Sequence, residues 1–151
     1  MFRILRSIRS ADSEHKENYP TFRVVHYSEV PEILEKVPRR KKILITRTPP
    51  NGQNSSVLHI WISKVDHPSA VSPSNLYVIE QKVWELLNRD SPIIVFDAFE
   101  YLMMEQGLEA ALKFTGKLRD MALLNNSGFI VSVSEGLDER VVALLKRIVE
   151  G

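Results

Sequence analysis

Asp97 and Glu100 are the first residues in this sequence whose types and spacing point to chemistry. Asp97 ends the apolar run "PIIVF", and Glu100 follows it in "DAFE". A nucleotide-hydrolysing enzyme often keeps a magnesium-holding aspartate at the end of such a strand. That chemistry needs a phosphate loop, G-x-x-x-x-G-K-[ST], whose backbone N–H groups cradle phosphates while its lysine reaches them. The glycines are Gly52, Gly107, Gly116, Gly128, Gly136 and Gly151, and only Gly116 precedes a lysine, Lys117. Leu118 follows where serine or threonine is required, so the motif is not present.

Two readings of Asp97 therefore compete. The spacing in "DAFE" matches a capping box, with Asp97 accepting from the Glu100 N–H and Glu100 bonding back to the Asp97 N–H. The second reading is a ligand site. Arg47, Lys64, Asp97 and Glu135 each follow the carboxyl end of an expected strand. Ligands of open parallel sheets bind beyond those ends, so parallel strands would bring the four to one rim. Arg47, next to the stiff "TPP", suits bidentate binding of a carboxylate or phosphate. It equally suits a salt bridge to Asp97 or Glu100. The candidate ligand-binding set is thus Arg47, Lys64, Asp97, Glu100 and Glu135.

Other chemistries find less support. His15, His26, His59 and His67 have no metal-ligand spacing, and no cysteine is present to supply a thiolate ligand, nucleophile or disulfide. No G-x-S-x-G elbow occurs. A net charge of +1 gives no general basic field for nucleic acid. The "RRKK" cluster from Arg39 to Lys42 reads as a solvated connector. "EYLMM" offers Tyr101, Leu102, Met103 and Met104 to a core or to a partner surface. No motif assigns a cofactor.

The elements that must position these residues follow from periodicity. Strands are expected at Phe22–Tyr27, Lys41–Arg47, Val57–Ser63, Pro92–Phe96 and Gly128–Ser134. "PIIVF" is apolar on both faces, which marks a central strand. A first helix is expected over "SEVPEILEKV", capped by Ser28 and ended by Pro38. A second covers "SPSNLYVIEQKVWELLNRD", with Ser72 as cap, Pro73 at the first position, and Ile79, Val83 and Leu87 in its buried stripe. A third helical region spans 98–126 with a break near Gly107, and a last helix covers "LDERVVALLKRIVE". The loop "TPPNGQNSS" and the loop "VDHPSAV" separate elements.

Strands interleaved with helices imply a three-layer α/β fold with about five mostly parallel strands. The second and third strands have no helix between them, so they are expected to be antiparallel or not adjacent. Residues 1–18 read as a basic tail and linker, with 19–151 as a single α/β domain. "MFRILRSIR" is either a frayed tail or a weak membrane-surface contact by residues 1–9. No apolar run approaches the roughly 18 residues of a membrane span, and a cytoplasmic setting is expected.

The ordered set "LITRTPP", "ISKV", "SPSNL", "FDAFEYLMMEQGLEAALKF", "LRDMALLNN" and "LDERVVALL" resembles the archaeal family called domain of unknown function 835. The resemblance runs from about Ile43 to the carboxyl terminus. Its motif residues here are Thr46, Pro49, Pro50, Ser72, Pro73, Asn75, Leu76, Tyr101 and Leu102. Ala98 replaces the glycine of the family's usual "DG-x-EYL". The resemblance implies a RecA-like scaffold and a signalling or regulatory setting. Such a fold would place a phosphate loop at "TRTPPNG", where two prolines remove two N–H donors. The expected function is a regulatory or protein-interaction module without enzymatic activity, whose partner is another protein or a second copy of the chain. The alternative is a sensor or enzyme for a nucleotide or small anionic ligand, using Arg47, Lys64 and Asp97.

Overall fold

The computed structural model describes residues 21–36, 41–50 and 57–151. The expected tail at 1–18, the helix end at Pro38, and Arg39 and Arg40 of the basic cluster lie outside the described residues.

The strands are β1 (Phe22–His26), β2 (Lys42–Thr46), β3 (Val57–Ile62), β4 (Ala70–Val71), β5 (Ile93–Asp97) and β6 (Phe129–Val133). The helices are α1 (Val30–Lys36), α2 (Leu76–Asp90), α3 (Phe99–Gln106), α4 (Leu108–Leu124) and α5 (Glu139–Val149). The sheet order is β1-β6-β5-β2-β3-β4, and every neighbouring pair is parallel. Hydropathy sorts this order. Every residue of β6 and the first four of β5 are buried, as a strand covered on both faces requires. β3 is half-buried along its first residues, and β4 forms one edge. At the other edge, Glu150 Oε2 accepts from the Val24 N–H at 2.8 Å. This occupies a donor that an edge strand would otherwise present to another chain.

The sheet corrects the expected pairing of the second and third strands. β2 and β3 are adjacent and parallel, with Lys42 beside Val57 and Thr46 beside Trp61. Residues 47–56 join the two strands in sequence, and 51–56 lie outside the described residues. Ten residues reach roughly 33 Å when extended, about twice the length of a five-residue strand. A crossover helix is therefore not required. The short β4 is a sixth strand within "VDHPSAV", which composition marks as loop.

Two helix starts also differ from expectation. A 3₁₀ turn, Tyr27–Glu29, precedes α1 and is capped by His26 rather than Ser28. His26 Nδ1 accepts from the Ser28 N–H at 3.2 Å, and Glu29 accepts from the His26 N–H at 3.1 Å. α2 begins at Leu76, after a turn in which the Asn75 N–H donates to the Ser72 carbonyl at 2.9 Å. The Ser72 hydroxyl accepts from the Ser74 N–H two residues on, which closes a local turn instead of a helix. The expected break at Gly107 is present. Its φ of +94° separates α3 from α4 in a region that favours glycine.

One sheet face carries most of the core. Ile79, Val83 and Leu87 of α2, with Ala111, Phe114 and Leu118 of α4, pack with Ile43, Ile45, Ile94 and Phe96. Phe96 meets Phe114 edge to face, with centroids 5.6 Å apart. On the other face, Val30 and Leu34 of α1 pack with Ile93, Val95 and Leu44. Helices thus flank the parallel sheet on both sides. Lys42, at the start of β2, is 2% exposed and makes no ion pair among the described residues. Burial lowers its ammonium below the usual lysine value.

Candidate functional site

β6, β5 and β2 end side by side, and their register builds a polar row at the carboxyl rim. Thr46 is level with Asp97, and Phe96 is level with Val131, which brings Ser132 beside Asp97. The Ser132 hydroxyl donates to Asp97 Oδ1 at 2.5 Å, and the Thr46 hydroxyl donates to Oδ2 at 3.2 Å. Thr46 Oγ1 also accepts from the Thr48 N–H at 3.3 Å. Thr46 and Ser132 are 2% and 4% exposed, so this network sits where water does not compete freely. Glu100, in the first turn of α3, accepts from both the N–H and the hydroxyl of Ser134, each at 2.6 Å.

These bonds overturn the capping box expected of "DAFE". The residue at the cap position is Ala98, and no side chain caps α3. Asp97 reaches donors on the two neighbouring strands instead, and Glu100 reaches the residue that follows β6. Hydrogen bonds to a charged acceptor are roughly twice as strong as neutral ones. Three of the donors come from β6 or the residue after it, and one comes from β2.

Arg47 does not bridge to Asp97 or Glu100 among the described residues. Its guanidinium lies 3.9 Å from the centroid of the Tyr101 ring. Stacking of this kind holds the planar group by one face and leaves its N–H edge for an acceptor. The backbone beneath is pinned from β3. Trp61 Nε1 donates to the Arg47 carbonyl at 3.0 Å, and His59 Nε2 lies 2.7 Å from the Thr48 carbonyl.

A cavity of about 450 Å³ opens over these groups. Arg47, Asp97, Glu100, Tyr101, Ser132 and Ser134 are among the residues that line it. Of the other rim candidates, Lys64 is engaged by Glu105 at 3.2 Å, and Glu105 lines the same cavity. Glu135 does not join them. It lines a neighbouring cavity of about 600 Å³ with Glu29, Glu139 and Lys146.

The remaining motif residues divide between this site and the frame. Tyr101 carries Arg47, while Leu102 is fully buried beside it in sequence. Pro49 and Pro50 are exposed after the pinned turn. Pro50, Ser72 and Asn75 line a separate cavity near the β4 edge. Pro73 is buried and Leu76 half-buried.

Sequence reasoning missed Ser132, Ser134, Glu105, Trp61 and His59 as parts of the site. A signal existed for the serines. "FIVSVS" places hydroxyls at alternate positions near the end of an otherwise apolar strand, so one face turns polar there.

The arrangement presents one cation held by an aromatic ring and two carboxylates oriented by hydroxyls. Each carboxylate oxygen has roughly two acceptor positions, and each of the four oxygens of Asp97 and Glu100 receives one bond from the protein. Capacity remains for donors on a ligand. Among the described residues, no group of three or more His, Asp or Glu could hold a metal ion. Among the same residues, no helix is long and apolar enough to cross a membrane.

A protein-family model described as "Protein of unknown function (DUF835)" matches residues 24–149. No curated protein matches the chain.

Proposed function

The chain belongs to the DUF835 family, and from that premise we propose that it is a regulatory module that binds a small polar ligand at the carboxyl rim of its sheet. The observation that carries this reading is Arg47. Its guanidinium is stacked on Tyr101 at a cavity wall and has no acid partner among the described residues. An arginine pre-oriented in this way loses little freedom when it takes up an anionic group. Asp97 and Glu100 add fixed acceptors on the same wall. The scaffold is read as a RecA-like one that has lost its phosphate loop. The parallel sheet and the absence of a G-x-x-x-x-G-K-[ST] sequence support that reading.

Thermal-shift titration with small polar ligands, among them nucleotides, anionic metabolites and amino acids, tests the proposal. A ligand at one hundred times its Kd stabilises a protein by about 2.7 kcal/mol. The expected result is stabilisation of the native protein that Arg47→Ala loses. Equal stabilisation of both forms counts against the rim. Specific turnover of a nucleoside triphosphate, lost in Asp97→Asn, would replace the binding role with catalysis.

A second reading, association with another copy of the chain, is favoured by the outer face of α2. Tyr77, Gln81 and Trp84 recur at helical spacing there, and Tyr77 and Trp84 are 69% and 44% exposed. With Met121 of α4 they line a shallow groove of about 300 Å³. Aromatic residues are enriched where protein interfaces form. Sedimentation of the native protein and Trp84→Glu tests this reading. A dimer that the substitution dissociates supports it, and a native monomer at high concentration rules it out.

A further inference from the structure

The charge arrangement of the rim cavity narrows its ligand, if the binding role proposed above holds. Glu105 is neutralised by Lys64 at 3.2 Å. What remains on the wall is one cation, Arg47, against two carboxylates, Asp97 and Glu100. The carboxylates cannot swing away to admit a second anion without breaking bonds from Thr46, Ser132 and Ser134. A polyanion such as a free triphosphate would find one partner and two fixed like charges. Like-charge juxtaposition costs several kcal/mol in a recognition site. A simple polyamine meets the opposite conflict at Arg47.

The ligand that satisfies all three groups carries one acid and one amine. We infer that the rim cavity takes a small zwitterion of the amino-acid class, its carboxylate on the Arg47 edge and its ammonium on Asp97 and Glu100. Each group has the geometry for its part. Arg47 offers a planar fork that matches a carboxylate. Asp97 and Glu100 keep unused lone pairs, and an ammonium brings three donors and no acceptor. Tyr101 and Met104, the latter 79% exposed, supply an apolar side for the hydrocarbon part of the ligand. A cavity of about 450 Å³ is of small-molecule size.

The test is thermal-shift titration of the full chain with three probes. One is a mixture of the twenty common L-amino acids. The second is the same mixture N-acetylated, which removes the ammonium. The third is the same mixture C-amidated, which removes the carboxylate. The expected result is stabilisation by the free amino acids, with apparent affinity at least tenfold weaker for both blocked mixtures. Arg47→Ala abolishes the preference for a free carboxylate. Asp97→Asn and, separately, Glu100→Gln reduce the preference for a free ammonium, and melting without ligand checks that each variant folds. If an acetylated or amidated mixture binds as well as the free one and still depends on Arg47 or Asp97, the zwitterion assignment is overturned while the rim site survives. If binding is unchanged in all three variants, the rim site falls with it. If none of the mixtures binds, the zwitterion assignment is overturned, and the nucleotide and anionic probes of the preceding test decide the rim site.

Discussion

Replacing Ser132 with alanine removes the shortest hydrogen bond on Asp97 without touching the helix that follows. Ser132 is 4% exposed and its hydroxyl lies 2.5 Å from Oδ1. A hydrogen bond to a charged group contributes about 1.5–3 kcal/mol. For a chain of 151 residues, each kcal/mol moves Tm by about 2–4 °C. Ser132→Ala is therefore expected to lower Tm by roughly 3–12 °C. Asp97→Ala leaves two buried hydroxyls, on Thr46 and Ser132, without their acceptor. Each unsatisfied group costs about 1–3 kcal/mol. In that background the Ser132 hydroxyl has lost its partner, so removing it costs about 0.5 kcal/mol or less. Urea unfolding of the native protein, the two single variants and the double variant closes the cycle. The expected coupling is about 1–2.5 kcal/mol, well above the 0.3–0.5 kcal/mol scatter of independent sites. If the two substitutions add within that scatter, Asp97 does not act through Ser132 and the cross-strand network is refuted. A local cap would give that additive result, because it involves only Asp97 and the start of α3.

Further consequences are testable on the same protein. Burial lowers the Lys42 ammonium below its ordinary value of 10.5, so the unfolded chain binds more protons than the native one between those two values. Stability therefore rises with pH across that alkaline window, and Lys42→Met is expected to flatten the rise and to stabilise the protein at neutral pH. Gly128→Ala sets a Cβ 3.1 Å from the Thr21 carbonyl oxygen and 3.2 Å from the Thr21 nitrogen. Both contacts are backbone, so chemical denaturation should read a loss of about 1–3 kcal/mol. Glu150→Ala frees the Val24 N–H at the β1 edge. Hydrogen exchange at Val24 should accelerate, with a stability loss of about 1 kcal/mol, and unchanged protection there would place the edge's cover elsewhere.

What the sequence determined by itself was local. The periodicity of "VIEQKVWELL", the doubly apolar "PIIVF" and the small break at Gly107 each state a conformation within a few residues. The structure has α2 with Ile79, Val83 and Leu87 buried, β5 between β6 and β2, and a positive φ at Gly107. The gathering of strand ends at one rim also followed once the strands were parallel, although Glu135 lines a neighbouring cavity and not that of Arg47 and Asp97. The tertiary structure decided which partners those ends meet. "DAFE" satisfies a local rule for a cap, yet Asp97 bonds residues 51 and 35 positions away in sequence, and Glu100 bonds one 34 positions away. Register determines the neighbours of Asp97, and register is a property of three strands at once, while the neighbour of Glu100 depends on how α3 leaves β5. The same holds for Arg47. Its two sequence readings were an anion site and a salt bridge, while its position over Tyr101 depends on how α3 leaves β5. Local sequence limits what each side chain can bond to. Folding selects the partner, because the strongest donor within reach is set by distances that no short stretch of chain contains.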